Sequence, residues 1–141
     1  MCRHFVLLFI FIVIFDSSYG MTRAQMKKTL KVMKNQCMPK NGVTEDEIGS
    51  IDQGKFIEDK RVMCYIACVY KTLGVIKNDR LNREAITKQV DVLYPAEMKE
   101  PVKADIAKCI HVQDGYKDVC EAAFWSAKCL YDTDPDNFVF A

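Results

Sequence analysis

The stretch from Asp59 to Gly74, DKRVMCYIACVYKTLG, constrains the chain most, because Cys64 and Cys68 stand four residues apart inside a helical pattern. At about 3.6 residues per turn, that spacing stacks both sulfurs on one face, one turn above the other. A disulfide needs Cβ atoms about 3.5–4.5 Å apart with a specific torsion, so these cysteines are better placed to reach two different partners than to join each other. Val62, Ile66, Val69, Tyr70 and Leu73 recur at three- and four-residue steps and give the same helix an apolar stripe. Asp59 is its candidate N-cap and Gly74 its candidate C′ residue. The helix is expected to be the hub of a covalent cage.

That expectation requires an oxidising compartment, and the start of the chain supplies a reason for one. Arg3 and His4 precede an unbroken apolar run of 11 residues, Phe5 to Phe15, followed by Ser17-Ser18-Tyr19-Gly20. A spanning helix needs roughly 20 apolar residues, so residues 1–20 read as a secretory signal peptide removed after Gly20, and the protein as extracellular. Removal takes Cys2 away and leaves six of seven cysteines, an even number suited to three bridges. It also removes one base, Arg3, and one acid, Asp16, so the net charge stays at +1. A near-neutral surface argues against nucleic acid as a partner, which draws on concentrated basic charge.

Residues 21–141 read as one all-helical domain of about six helices. Thr22-x-x-Gln25 and Thr44-x-x-Glu47 are capping boxes that open a first helix running into Cys37 and a short second one. Pro39 and Asn41-Gly42 are expected to break the first helix, and the segment from Gly49 to Gly54 the second. After the hub, Val75 to Arg80 reads as a short connector, and Asn82 caps a helix carrying Ile86, Val90 and Leu93. Pro95 suits the first turn of the next helix, within which Pro101 either makes a kink or marks the true start. Asp114-Gly115 is a turn, and Val119 to Tyr131 a last helix. The tail, Asp132 to Ala141, runs from acidic Asp134-Pro135-Asp136 into apolar Phe138-Val139-Phe140, which is expected to pack inward.

The mature cysteines read Cys37-x26-Cys64-x3-Cys68-x40-Cys109-x10-Cys120-x8-Cys129. Spacing alone fixes no pairing. With the x3 and x8 intervals, and with Asp134-Pro135-x-x-Phe138, Met21-Thr22 and Met63-Cys64-Tyr65, the mature chain resembles the six-cysteine insect odorant-binding proteins, in particular their alcohol- and pheromone-binding branch. The resemblance implies six helices around an apolar cavity and the bridges Cys37–Cys68, Cys64–Cys120 and Cys109–Cys129. It implies a carrier that takes a small hydrophobic volatile ligand, an odorant or pheromone, through aqueous lymph to an odorant receptor or accessory membrane protein, as a monomer or weak homodimer. Where the alcohol-binding branch has small hydroxyl side chains, this chain has Tyr70 and Val75, which points to a bulkier ligand anchored by a phenol, Tyr70 first and Tyr131 second.

On that resemblance the ligand-contacting set is Leu30, Met33, Ile66, Tyr70, Leu73, Val75, Ile86, Val90, Phe124, Ala127, Leu130, Tyr131 and Phe138 to Phe140 (Phe138, Val139, Phe140). Periodicity alone would make most of these ordinary core. Met26, Met33 and Met63 would let a cavity adapt, because the thioether chain is flexible. No catalytic group, metal or cofactor is expected: His111 is the sole mature histidine, every mature cysteine is needed for a bridge, and no glycine-rich phosphate loop is present. His111 is read either as a solvated helix-end residue or as a group whose titration loosens a lid. The same scaffold also serves a different reading, a secreted interaction or signalling module with a packed interior, or a carrier of non-olfactory lipophiles.

Overall fold

The computed structural model describes residues 20–141, so the expected signal peptide falls, except for Gly20, outside the described residues. Among the described residues six α-helices follow in order: α1 (Arg23–Asn41), α2 (Glu45–Ile48), α3 (Lys60–Thr72), α4 (Arg83–Leu93), α5 (Ala96–Cys109) and α6 (Val119–Thr133). Short 3-10 turns at Ile51–Gln53 and Ile110–Gly115 link α2 to α3 and α5 to α6. Among the described residues no helix is long and apolar enough to cross a membrane.

Side chains in the sequence set most helix starts. The Gln25 amide donates to Thr22 Oγ1 (3.2 Å) while the Thr22 amide donates to Gln25 Oε1 (2.9 Å), closing the first capping box. Asp59, Asn82 and Asp118 accept amide hydrogen bonds at the starts of α3, α4 and α6. Gly74 ends the hub at φ +73°, a left-handed conformation that glycine adopts without strain.

Two prolines lie inside helices. Pro39 does not break α1, which runs on to Asn41 and stops at Gly42 with φ +62°. Pro39 sits in the last turn, where only one intrahelical bond is lost, and the segment is fastened by the Cys37–Cys68 bridge and by the Arg61 guanidinium donating to the Gly42 carbonyl (2.8 Å). Pro101 neither starts nor ends a helix: α5 begins after Pro95 and continues through the exposed Pro101, where water can satisfy the freed carbonyl of Glu97.

The expected connector after the hub is a hairpin, with Ile76–Lys77 (β1) paired antiparallel to Arg80–Leu81 (β2). Asn78 and Asp79 both have positive φ (51° and 55°), the turn that matches the twist of two paired strands. Gln113, only 7% exposed, clamps it: the Leu81 amide donates to Gln113 Oε1 (2.9 Å) and Gln113 Nε2 donates to the Leu81 carbonyl (3.1 Å).

All three expected bridges are present: Cys37–Cys68 joins α1 to α3, Cys64–Cys120 joins α3 to α6, and Cys109–Cys129 joins α5 to α6. The hub cysteines thus reach different helices. α3 and α6 form the most extensive helix pair, with Ala123 and Ala127 buried on α6 and Val62, Ile66 and Val69 buried on α3. The small alanines let the two helices pack closely.

Candidate ligand-binding site

The buried apolar side chains do not merge into one core. One cluster surrounds the α3–α6 seam, a second joins Met26 and Leu30 of α1 to Val90 of α4 and Val102 and Ile106 of α5, and a third holds Val75, Leu81 and Ile110. A cavity of about 120 Å³ lies where the three would otherwise meet, with members of each in its wall. That is the order of the ~150 Å³ apolar cavity, lined by leucine, isoleucine and phenylalanine, that stays dry and takes up benzene.

Each lining element contributes the face its sequence makes apolar. α1 supplies Met26 and Leu30, α3 Val69 and Tyr70, and α4 Ile86, Val90 and Leu93. Val102 and Ile106 of α5, Leu130 of α6 and Val75 and Leu81 of the hairpin region complete most of the wall. The tail closes what remains with Phe138, Val139 and Phe140. Phe140 meets Tyr65 and Tyr70 edge-on, with centroids 6.2 and 5.9 Å away, and stacks on Phe138. The Tyr65 hydroxyl donates to the Ala141 carbonyl (3.0 Å), and Arg23 reaches the Asp136 carbonyl (3.4 Å). Asp134 holds the bend by accepting from Asn137 Nδ2 (2.7 Å), and this bond keeps its carboxyl below the usual aspartate value.

Ten of the fifteen residues expected to contact ligand line the cavity: Leu30, Tyr70, Leu73, Val75, Ile86, Val90, Leu130, Phe138, Val139 and Phe140. Met33, Ile66, Phe124, Ala127 and Tyr131 lie outside the lining. Ile66, Phe124 and Ala127 fill the α3–α6 seam, and Met33 packs between clusters. Tyr131 faces the other way, against Phe56 and Phe138, with its hydroxyl donating to the Gln53 carbonyl (3.0 Å). Of the two expected phenol anchors, only Tyr70 is in the wall, where it neighbours Tyr94. Burial raises both phenols, that of Tyr94 to about 12.

The polar members of the wall, Gln89, Asp105, Ser126, Asp134 and Asn137, were not anticipated. Asp105 is 7% exposed and accepts from Lys108 Nζ (2.9 Å). Their helical register carried the signal: Ser126, Leu130 and Asp134 follow at four-residue steps, and Asp105 and Cys109 do the same on α5. His111 is 81% exposed in its side chain and pairs with Asp114 (3.2 Å), away from the cavity wall. Among the described residues no three His, Cys, Asp or Glu side chains gather so as to hold a metal ion.

A bridged helical shell around an apolar cavity defines a class of small-ligand binders, and comparison with known proteins places the chain within it. Residues 20–133 match the PBP/GOBP family, and the chain belongs to that family. It is 31% identical over 121 residues to general odorant-binding protein 72 of Anopheles gambiae, covering 86% of this chain and 99% of that one. The crystal structure of odorant binding protein 4 from Chrysopa pallens superposes with a TM-score of 0.77 at 36% identity, over 86% of this chain and 99% of the other. Apis mellifera odorant binding protein 5 gives 0.73 at 26% identity, with the same coverage of 86% and 99%. The family is one of odorant carriers, and the fold is that of a carrier of hydrophobic ligands.

Proposed function

We propose that the protein is a secreted carrier that encloses one small volatile lipophile, an odorant or pheromone component, and moves it through aqueous lymph to a chemosensory receptor. The observation that carries this reading is the cavity itself, an almost wholly apolar space of about 120 Å³ walled in part by the chain's own apolar tail. Affinity comes from removing ligand surface from water, at roughly 25 cal/mol per Å², while a few polar groups set orientation. Residues 1–20 are the signal that exports the chain, and residues 21–141 form the working domain. A cavity of this kind favours carriage over a surface-only signalling role, which would leave the hollow without use.

Uptake of the fluorescent probe N-phenyl-1-naphthylamine, and its displacement by a panel of volatiles, tests the reading. Probe binding with micromolar displacement by apolar volatiles is expected, and a protein that takes up no probe would refute carriage. Native mass spectrometry after exposure to a mixed library then identifies the preferred ligand. The mass of protein exported by insect cells tests cleavage after Gly20, and size-exclusion chromatography tests a monomer against a weak homodimer.

A further inference from the structure

Ser126 is 4% exposed, and its Oγ makes no hydrogen bond with any described residue. The residue lies in the cavity wall, one turn before Leu130 on α6, with its Oγ tucked in so that it has almost no accessible surface; a turn about the Cα–Cβ bond brings it to a ligand. A helical serine usually satisfies its hydroxyl on the carbonyl one turn back, here that of Ala122, and Ser126 does not do so. A buried hydroxyl without an acceptor is costly, and alanine, already at positions 122, 123 and 127, would fit this helix better. The other buried polar side chains, Asp105 and Gln113, both have protein partners. The acceptor for Ser126 is therefore to be sought in what fills the cavity.

We propose that Ser126 is the polar anchor of the site: its hydroxyl donates to an accepting oxygen on the ligand, so that the cavity selects a carbonyl-bearing lipophile over a hydrocarbon of the same shape. The assignment rests on the carrier reading and deepens it by naming the ligand class and the residue that reads it. Tyr70 remains a wall residue whose ring packs on Phe140.

The test uses the full mature protein and two competitors of matched shape, heptan-2-one and 2-methylhept-1-ene, in which a methylene group replaces the oxygen. Displacement of N-phenyl-1-naphthylamine is measured for the wild type, Ser126→Ala, Ser126→Thr and Tyr70→Phe. Ser126→Ala should shift the ketone-to-alkene affinity ratio about five- to tenfold against the ketone, with alkene affinity equal or higher. Ser126→Thr, which keeps the hydroxyl, and Tyr70→Phe should shift the ratio less than about twofold. The ligand-free Ser126→Ala protein should melt at the same or a higher temperature, which a structural serine would not allow. A ratio unchanged in Ser126→Ala, with probe and both competitors still binding, overturns the anchor and leaves the carrier intact. A wild-type protein that takes up no probe overturns both.

Discussion

Removing residues 138–141 should separate the tail's role as a wall from any role as a foundation. Phe140 is buried and Phe138 and Val139 are half-buried. At about 1.5–3 kcal/mol for each fully buried side chain, their docking gains on the order of 3–6 kcal/mol. The Tyr65–Ala141 hydrogen bond adds about 1 kcal/mol. Ordering four backbone residues costs about 4–8 kcal/mol. The opposing quantities nearly cancel, so the truncated, ligand-free protein should lose no more than about 2 kcal/mol in urea unfolding, with an unchanged m-value. The ligand, however, loses three wall side chains. Probe affinity should fall at least about tenfold, equivalent to about 1.4 kcal/mol, and most of the change should appear as faster dissociation in stopped-flow fluorescence. A loss of stability beyond about 4 kcal/mol would make the tail part of the core, and unchanged dissociation would remove it from the wall.

Four further outcomes are expected. Replacing both cysteines of a bridge by serine should cost about 3 kcal/mol for Cys109–Cys129, which spans 20 residues, and about 4 kcal/mol for Cys64–Cys120, which spans 56; the reverse order in urea titrations would show that loop closure does not govern the loss. Asp134 has a lowered folded value, so its clasp on Asn137 stabilises the protein above the ordinary 3.8 and weakens only as pH falls through the still lower folded value; probe affinity should hold from about pH 7 to about 5, and release within that window would implicate another group. His111→Phe should leave affinity and its pH profile unchanged, because the imidazole points to solvent; an altered profile would restore the histidine to the release mechanism. In a spectrophotometric titration Tyr94 should ionise near 12, with Tyr65 and Tyr70 also raised; because the raised value belongs to the neutral phenol, stability should hold below the ordinary value of 10 and fall as pH rises above it, whereas ionisation of all three near 10 would mean that water reaches them.

Much of this architecture is legible because it rests on local chemistry. Thr22, Asp59 and Asn82 cap their helices by reaching amides within three residues, and no distant contact is needed to recognise them. The four-residue step between Cys64 and Cys68 likewise disfavours one pairing on helix geometry alone, while the full set of pairings is what the family resemblance implies. The hairpin escaped notice because strands of two residues carry no readable alternation, and Asn78-Asp79 is a weaker turn signal than a glycine pair. Pro39 stays within its helix because a bridge and a cap outside its local sequence fasten the segment, and a local breaker signal does not record them. Inside and outside the cavity were hardest to tell apart. Ile66 and Val69 share one apolar stripe and one seam cluster, yet only the second also lines the cavity. Hydropathy does not record whether a buried face meets another helix or a void.

Where the bridges fall bears on which parts of the cavity wall give way most easily to a ligand. They tie α1, α3, α6 and α5 into one covalent series. Of the lining helices only α4 carries no cysteine; neither does the hairpin, which Gln113 clamps, nor the tail. α4 is held by packing against α1 and α5 and by a partly exposed Lys103–Asp91 ion pair, a type of contact worth about 1 kcal/mol. The tail is held by an energy balance close to zero. Local opening draws on the segments with the least free energy holding them, so these two walls would yield before the bridged frame does. The bridged frame is thereby the part expected to hold its shape longest, and Ser126, on bridged α6, belongs to it.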